Sequence, residues 1–145
     1  MELEKDLREF IELLNEFEVR YVLVGGYAVA YHGYPRYTGD IDFFVDHTGD
    51  NPQRLEQVVI RFGFGGIGIT AQDFATENRV VQLGVPPNRI DLINSISGVT
   101  FAEVWATRET GAIGSVKVNI IAREPLKRNK AASGRDKDLI DLKYL

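Results

Sequence analysis

The stretch Val24-Gly25-Gly26-Tyr27-Ala28-Val29-Ala30-Tyr31-His32-Gly33-Tyr34-Pro35-Arg36-Tyr37-Thr38-Gly39-Asp40-Ile41-Asp42-Phe43-Phe44-Val45 decides how this chain is read. Asp40 to Val45 alternates in period two, so Asp40, Asp42 and Phe44 point one way while Ile41, Phe43 and Val45 point the other. Two carboxylates therefore share one face of a strand. Holding two anions together in a partly dry place is costly unless a cation or a proton compensates. A hard divalent cation supplies that compensation, because Mg²⁺ takes oxygen ligands and combines carboxylates with substrate phosphates. The competing reading is a solvated strand end carrying ordinary surface acids.

Upstream, Tyr21 to Val24 is short, apolar and partly β-branched, which predicts a buried strand ending at Gly25-Gly26. Two glycines there let backbone N–H groups approach phosphate oxygens with no Cβ in the way. A short helix is expected over 28–32, stopped by Gly33 and Pro35. Before the strand, Leu3, Leu7, Phe10, Ile11, Leu14 and Phe17 recur at helical spacing, with charged residues on the other face.

Downstream, Asn51 is expected to cap a helix with Pro52 at its first position and Leu55, Val58, Val59 and Phe62 as its apolar stripe. Residues 63–68 hold Gly63, Gly65, Gly66 and Gly68 and predict a loop or irregular strand. Val80 to Val85 and Arg89 to Ile93 flank Pro86-Pro87-Asn88 as a hairpin. In the second of these strands Asp91 lies on the face opposite Ile90 and Leu92. If that strand neighbours Asp40–Val45, three aspartates converge, an arrangement suited to metal-assisted phosphoryl transfer. The plainer alternative is a surface pair between Arg89 and an aspartate.

Thr100 to Glu103 reads as a capping box opening a short helix through Trp105. Val116 to Ile120 reads as a strand. Ser133-Gly134-Arg135-Asp136 is expected to cap a terminal helix, with Leu139, Leu142 and Leu145 docking it on the body. The order predicts an α/β (α+β) domain, a mixed β-sheet flanked by helices, with 1–145 as a single domain.

The 145 residues carry 17 Lys and Arg against 21 Asp and Glu, a net charge of −4. That balance argues against a general nucleic-acid coat. Charge is uneven, however, since residues 123–137 contain six basic and two acidic side chains. An acidic body with one basic segment suits joint binding of a metal and a polyphosphate, although a solvated tail has the same composition. No apolar run approaches membrane-spanning length and no basic-then-apolar leader follows Met1, so no membrane association is expected. The absence of cysteine fits a reducing cytoplasm.

The spacing of Gly25-Gly26, Asp40-Ile41-Asp42 and a later strand aspartate resembles the polymerase-beta-like nucleotidyltransferase superfamily. It is closest in kind to the small bacterial branch that includes abortive-infection-type nucleotidyltransferase toxins and minimal nucleotidyltransferase antitoxins. Lys127, Lys130-Ala131-Ala132, Gly134-Arg135 and Lys137-Asp138 through Asp141-Leu142 resemble the C-terminal motif of the toxin-like members. The resemblance implies a nucleotidyltransferase-like fold and transfer of a nucleoside monophosphate from a nucleoside triphosphate (NTP, ATP included) to an acceptor hydroxyl.

It implies Mg²⁺ or Mn²⁺ held by Asp40, Asp42 and Asp91, with Asp91 helping to activate the attacking hydroxyl. Gly25 and Gly26 become the phosphate-binding turn. Lys130 becomes the lysine that approaches the triphosphate, Arg135 assists it, and Asp138 orients basic groups. From their place just before the acidic pair, Arg36 and Thr38 are expected to bind nucleotide, Arg36 meeting phosphate, neutralising the carboxylate cluster, or forming an ion pair that fixes the loop. Many members carry Ser where this chain has Gly26, which removes a hydroxyl contact to phosphate.

Larger relatives carry an additional helical region for the acceptor, for which this length leaves little space. The acceptor surface is then expected from loops, a partner protein or a second copy. RNA, a protein side chain or a small molecule all remain open as acceptor. The non-enzymatic alternative is a nucleotide- or partner-binding protein of a toxin–antitoxin or regulatory system, facing a cognate toxin or antitoxin or a homo-oligomer. A receiver-like domain fits the Gly-Gly and the Asp-Ile-Asp alternation poorly. Tyr27, Tyr31, Tyr34 and Tyr37 offer either a base-stacking surface or edge packing, while His32 and Trp105 read as structural.

Overall fold

The computed structural model describes residues 3–145. Its elements run α1 (Lys5–Glu16), β1 (Tyr21–Val24), α2 (Gly25–Tyr31), β2 (Asp40–Val45), α3 (Asn51–Val59), a π-turn over Ile60–Phe64, α4 (Ala71–Ala75), β3 (Val80–Leu83), β4 (Arg89–Ile93), α5 (Phe101–Thr107), β5 (Glu109–Ile113), β6 (Val116–Ile120), α6 (Arg123–Ser133) and α7 (Asp136–Tyr144). The strands form one mixed sheet in the order β3-β4-β2-β1-β6-β5. β1 pairs antiparallel with β2, whereas β2 with β4 and β1 with β6 run parallel. Helices flank this sheet, giving the mixed α/β architecture expected. Among the described residues no helix is long and apolar enough to cross a membrane.

The apolar periodicity of α1 is used as its spacing predicts. Leu7, Phe10, Ile11 and Leu14 are buried, and Phe10 packs against Phe43 of β2 with ring centroids 5.9 Å apart. The inward side chains of β2, Ile41, Phe43 and Val45, are fully enclosed. That burial anchors the strand so that its other face can carry two acids. Slipping β2 by one residue would exchange Phe43 for Asp42 in the core, so the hydrophobic effect fixes the register of the acidic pair.

Several expectations are corrected. Asn51 does not cap α3; Asp50 stands at the N-cap and Asn51 is the first helical residue, completely buried. Its amide accepts from the Arg20 backbone N–H at 2.7 Å and donates to the carbonyls of Arg20 and Asp46 at 3.1 and 2.7 Å. It ties the entry of β1 to the exit of β2, a use that pays the backbone polar groups at two strand ends. Helix α2 begins at Gly25 rather than at Ala28, and β3 stops at Leu83 rather than Val85.

The largest correction concerns the basic segment. Residues 123–133 form a helix whose last residue is Ser133, so Ser133 caps nothing. Gly134 turns the chain with φ +66°, and Arg135 precedes the first helical residue of α7. Asp138, not Asp136, takes the capping role by accepting from the Arg135 backbone N–H at 3.3 Å. Leu139 is exposed, and α7 docks chiefly through buried Asp138 and Asp141, with Leu145 partly covered. The helix is held by charge where leucines were expected. Strand β5 and the short α4 carry no clear period and were not anticipated.

Candidate active site

Sheet register builds the site. Parallel pairing of β2 with β4 sets Asp42 beside Asp91 and Asp40 beside Arg89. Antiparallel pairing of β1 with β2 sets Val24 beside Asp42, which delivers Gly25-Gly26 to the same edge. Asp40, Asp42 and Asp91 each offer a carboxylate oxygen within 4.8 Å of the others. All three aspartates therefore face one cleft, as the alternation implied. Asp91 is buried, while Asp40 and Asp42 are half-buried.

Crowding perturbs the middle acid. Burial, then the charges of Asp40 and Asp91, push the Asp42 carboxyl up to about 7, with Lys130 pulling in the opposite direction. Such a group near neutrality either keeps a proton or calls for a cation. One cation is already there. Arg89 donates from Nη2 to Asp40 at 2.6 Å and from Nε and Nη2 to Asp91 at 2.9 and 3.1 Å. The surface pair weighed against convergence thus coexists with it.

The glycines are required by close approach. Gly25 sits at φ +70°, and a Cβ there would overlap the Asp42 carboxylate. A Cβ on Gly26 would lie 3.0 Å from Thr38. Gly25→Ala is therefore expected to lower stability by about 1–3 kcal/mol through strain and displacement of Asp42. Urea denaturation checks it, and an unchanged midpoint would refute the close-approach argument.

A second wall of the cleft is cationic, and three of its side chains, Lys130, Arg36 and Arg135, are engaged by acids. Lys130 is 3% exposed, and its ammonium lies 3.1 Å from Asp138 Oδ1 and 3.1 Å from Asp141 Oδ2. Arg36 grips Asp141 with two bonds of 2.7 Å, and Arg135 donates to Asp138 at 2.7 Å. The result is an alternating chain, Arg36–Asp141–Lys130–Asp138–Arg135, tying α6, α7 and the loop before β2. Burial works against the charge of Asp138, but its bonds from Arg135 and Lys130 hold it down at about 2. Asp141 is likewise depressed against burial by Arg36 and Lys130.

The cleft encloses about 260 Å³ and is lined by Gly25, Gly26, Arg36, Thr38, Asp40, Asp42, Asp91, Lys130 and Arg135, the residues expected to hold metal and nucleotide, while Asp138 lies behind it. Their contacts qualify the expectations. Thr38 bonds the backbone carbonyl of Asp40 at 2.9 Å and its carboxylate at 3.2 Å, so its hydroxyl orients the acid. Arg36 adopts the loop-fixing ion pair. Arg89 and Lys137 also line the cleft and were not proposed as site residues. The signal for Arg89 is its position two residues before Asp91 on one strand face; Lys137 carries its signal as part of the C-terminal motif.

The tyrosines do not form one stacking platform. Tyr34 stacks on Tyr144 at 4.0 Å, Tyr31 packs edge-on to His32, and Tyr37 is 78% exposed. Tyr27 and Tyr37 line a separate cavity of about 530 Å³ that shares Arg36 and Thr38 with the acidic cleft. His32 Nε2 is 2.7 Å from the carbonyl of Ile121, a structural contact. Trp105 stacks against Phe101, with the Arg108 guanidinium 3.5 Å from its ring centroid.

Comparison with known proteins agrees with this geometry. A crystal structure of an antigenic nucleotidyltransferase-like protein from Paracoccidioides brasiliensis is similar in fold, with a TM-score of 0.53 and 18% identity over 99% of this chain and 77% of that one. A comparison with curated proteins finds no match. The family model described as "Nucleotidyl transferase AbiEii toxin, Type IV TA system" matches residues 11–136. With the acidic triad, the glycine turn and the C-terminal motif all inside or bordering that span, the chain belongs to the AbiEii nucleotidyltransferase toxin family, within the polymerase-beta-like superfamily.

Proposed function

We propose that this chain is a single-domain, Mg²⁺-dependent nucleotidyltransferase that moves a nucleoside monophosphate from an NTP to an acceptor hydroxyl. The observation that carries the reading is the convergence of Asp40, Asp42 and Asp91 within 4.8 Å beside a glycine turn. Three hard oxygen donors and a carboxyl raised to about 7 fit a divalent ion, which Mn²⁺ also satisfies. Asp40, Asp42 and Asp91 would hold it, and when bound it supplies charge compensation for the triphosphate and the departing oxygen.

The chain's own groups do the rest. Gly25 and Gly26 line the cleft and would offer their backbone N–H groups to phosphate oxygens. Arg135 and Lys137 place positive charge opposite the acids, so a phosphate chain would span the cleft between them, while Lys130, held by Asp138 and Asp141, braces that wall. Asp91 takes the proton of the acceptor hydroxyl as its oxygen bonds to the α-phosphorus. The bond from that phosphorus to the β-phosphate bridging oxygen breaks, and pyrophosphate leaves with its electron pair. Alignment and charge compensation carry the acceleration. The acceptor, whether RNA, protein or small molecule, would bring its hydroxyl in through the cleft mouth beside Asp91, and a cytoplasmic setting is part of this reading. The family's toxin description makes a cognate antitoxin the expected partner.

A second reading, nucleotide or partner binding without transfer, is favoured by one observation: Arg89 already neutralises two of the three acids. The two are separated by incubating the protein with each labelled NTP, Mg²⁺ or Mn²⁺, and total RNA or total protein. Label transfer by wild type that disappears in Asp42→Ala is expected. Metal-dependent NTP binding with no transfer to either pool would leave the second reading standing, and no NTP binding at all would sink the transfer reading and leave only partner binding.

A further inference from the structure

We propose that Arg89 is the site's resident counter-ion, and that a divalent metal binds well only together with the triphosphate that draws Arg89 away. The inference rests on the metal-site reading above and goes beyond it by making metal and nucleotide binding interdependent through one named residue.

Arg89 differs from the other cations of the cleft in where its anions come from. Lys130, Arg135 and Arg36 are paired with Asp138 and Asp141, acids outside the triad. Arg89 takes both of its partners from the triad itself, with three contacts between 2.6 and 3.1 Å on Asp40 and Asp91. Arg89 engages one oxygen of Asp40 and both oxygens of Asp91, so a hard cation held by these acids competes with it for them. A guanidinium and a divalent ion cannot share them at contact distance, because both are positive and both need the same oxygens.

The backbone of Arg89 is fixed by its pairing opposite Asp40 at the start of β4. Its side chain is 29% exposed, so rotation toward the cleft rim needs no movement of the sheet. A bare metal ion entering the triad would leave the displaced guanidinium beside a divalent charge with no anion to receive it. A triphosphate changes this, since its oxygens complete the metal's ligand set and also offer the planar, two-point partner that a guanidinium prefers. Metal and triphosphate should therefore each raise the other's affinity, and linkage makes the two factors equal.

The test is calorimetry on the intact chain with Mn²⁺ alone and with Mn²⁺ in the presence of inorganic tripolyphosphate, for wild type, Arg89→Met, Arg89→Lys and Asp42→Asn. Wild type is expected to bind Mn²⁺ alone weakly. Arg89→Met should bind Mn²⁺ alone about tenfold tighter, while the gain in Mn²⁺ affinity on adding tripolyphosphate shrinks at least about fivefold, within the usual range of coupling factors. Arg89→Lys should fall between, because an ammonium cannot bridge both acids as the fork does. It also keeps the question decidable if the methionine variant fails to fold.

Mn²⁺ affinity in either Arg89 variant equal to or below that of wild type would overturn the inference. If that binding is still abolished in Asp42→Asn, the metal-site reading survives and only the role of Arg89 falls. Mn²⁺ binding that Asp42→Asn leaves unchanged would remove both.

Discussion

Replacing Lys130 by alanine is expected to lower the stability of the fold by about 3–5 kcal/mol, the range for stripping one partner from a buried ion pair. Lys130 is enclosed between α6 and α7, and its ammonium is shared by Asp138 and Asp141, both essentially inaccessible. Without it two buried carboxylates lie near each other with only Arg135 and Arg36 as partners. Arg135 is itself largely exposed, so its compensation is screened by water. The value should therefore fall toward the lower end of the range.

The resemblance places Lys130 on the triphosphate, whereas the structure gives its ammonium two buried acids to hold. Urea denaturation of wild type, Lys130→Ala and Lys130→Met measures the effect, and Lys130→Met separates lost charge from lost packing. A change below about 1 kcal/mol in both would show that the acids compensate by protonation or water. The same chain predicts an acid limit. Asp138 has a folded value of about 2, below its unfolded one, so its contribution is complete above about pH 4 and is lost as pH falls toward 2.

Why the acidic half of the site was legible and the basic half was not follows from range. Asp40, Asp42 and Asp91 declare their face through their immediate neighbours Ile41, Phe43, Ile90 and Leu92, and the parallel register then sets Asp42 beside Asp91. Period two and burial suffice. Lys130 is buried by acids eight and eleven residues further on, and Arg36 reaches an acid 105 positions away. Hydropathy scores all of these as surface residues, so α6, whose buried side chains besides Lys130 are only Pro125 and Leu126, looked like a solvated segment. The Ser133 cap failed for a local reason: Gly134 in the left-handed region ends one helix before the next can begin. Asn51 misled because an asparagine beside a proline suits a cap, and only the tertiary structure brings two strand ends to its amide.

Asp42→Asn is expected to make the metal-free protein more stable at pH 8 while abolishing its metal-dependent nucleotide binding. The sign follows from the raised Asp42 carboxyl. With a folded value of about 7 against 3.8 for an ordinary aspartate, the folded chain holds a proton between those limits that the unfolded chain has released. Stability therefore falls as pH rises through this window, by about 1.4 kcal/mol per unit, and levels off above about pH 7. From pH 5.5 to pH 8 the metal-free wild type should lose about 2 kcal/mol from this group. Asp46, Asp138 and Asp141 have depressed values and complete their titration below the window, so they do not offset the loss. Asparagine keeps the shape and removes the charge, so the variant's profile should be flatter and its pH 8 stability higher by a similar amount. A divalent ion together with a triphosphate should restore wild type at pH 8 by binding only the folded state, and leave Asp42→Asn unmoved. Urea titrations at pH 5.5 and 8, with and without Mg²⁺ plus a nonhydrolysable triphosphate, measure all four quantities. A wild type whose metal-free stability is level across the window, or an Asp42→Asn that Mg²⁺ and triphosphate still stabilise, would show that like-charge crowding at Asp42 is not what calls a cation into the cleft.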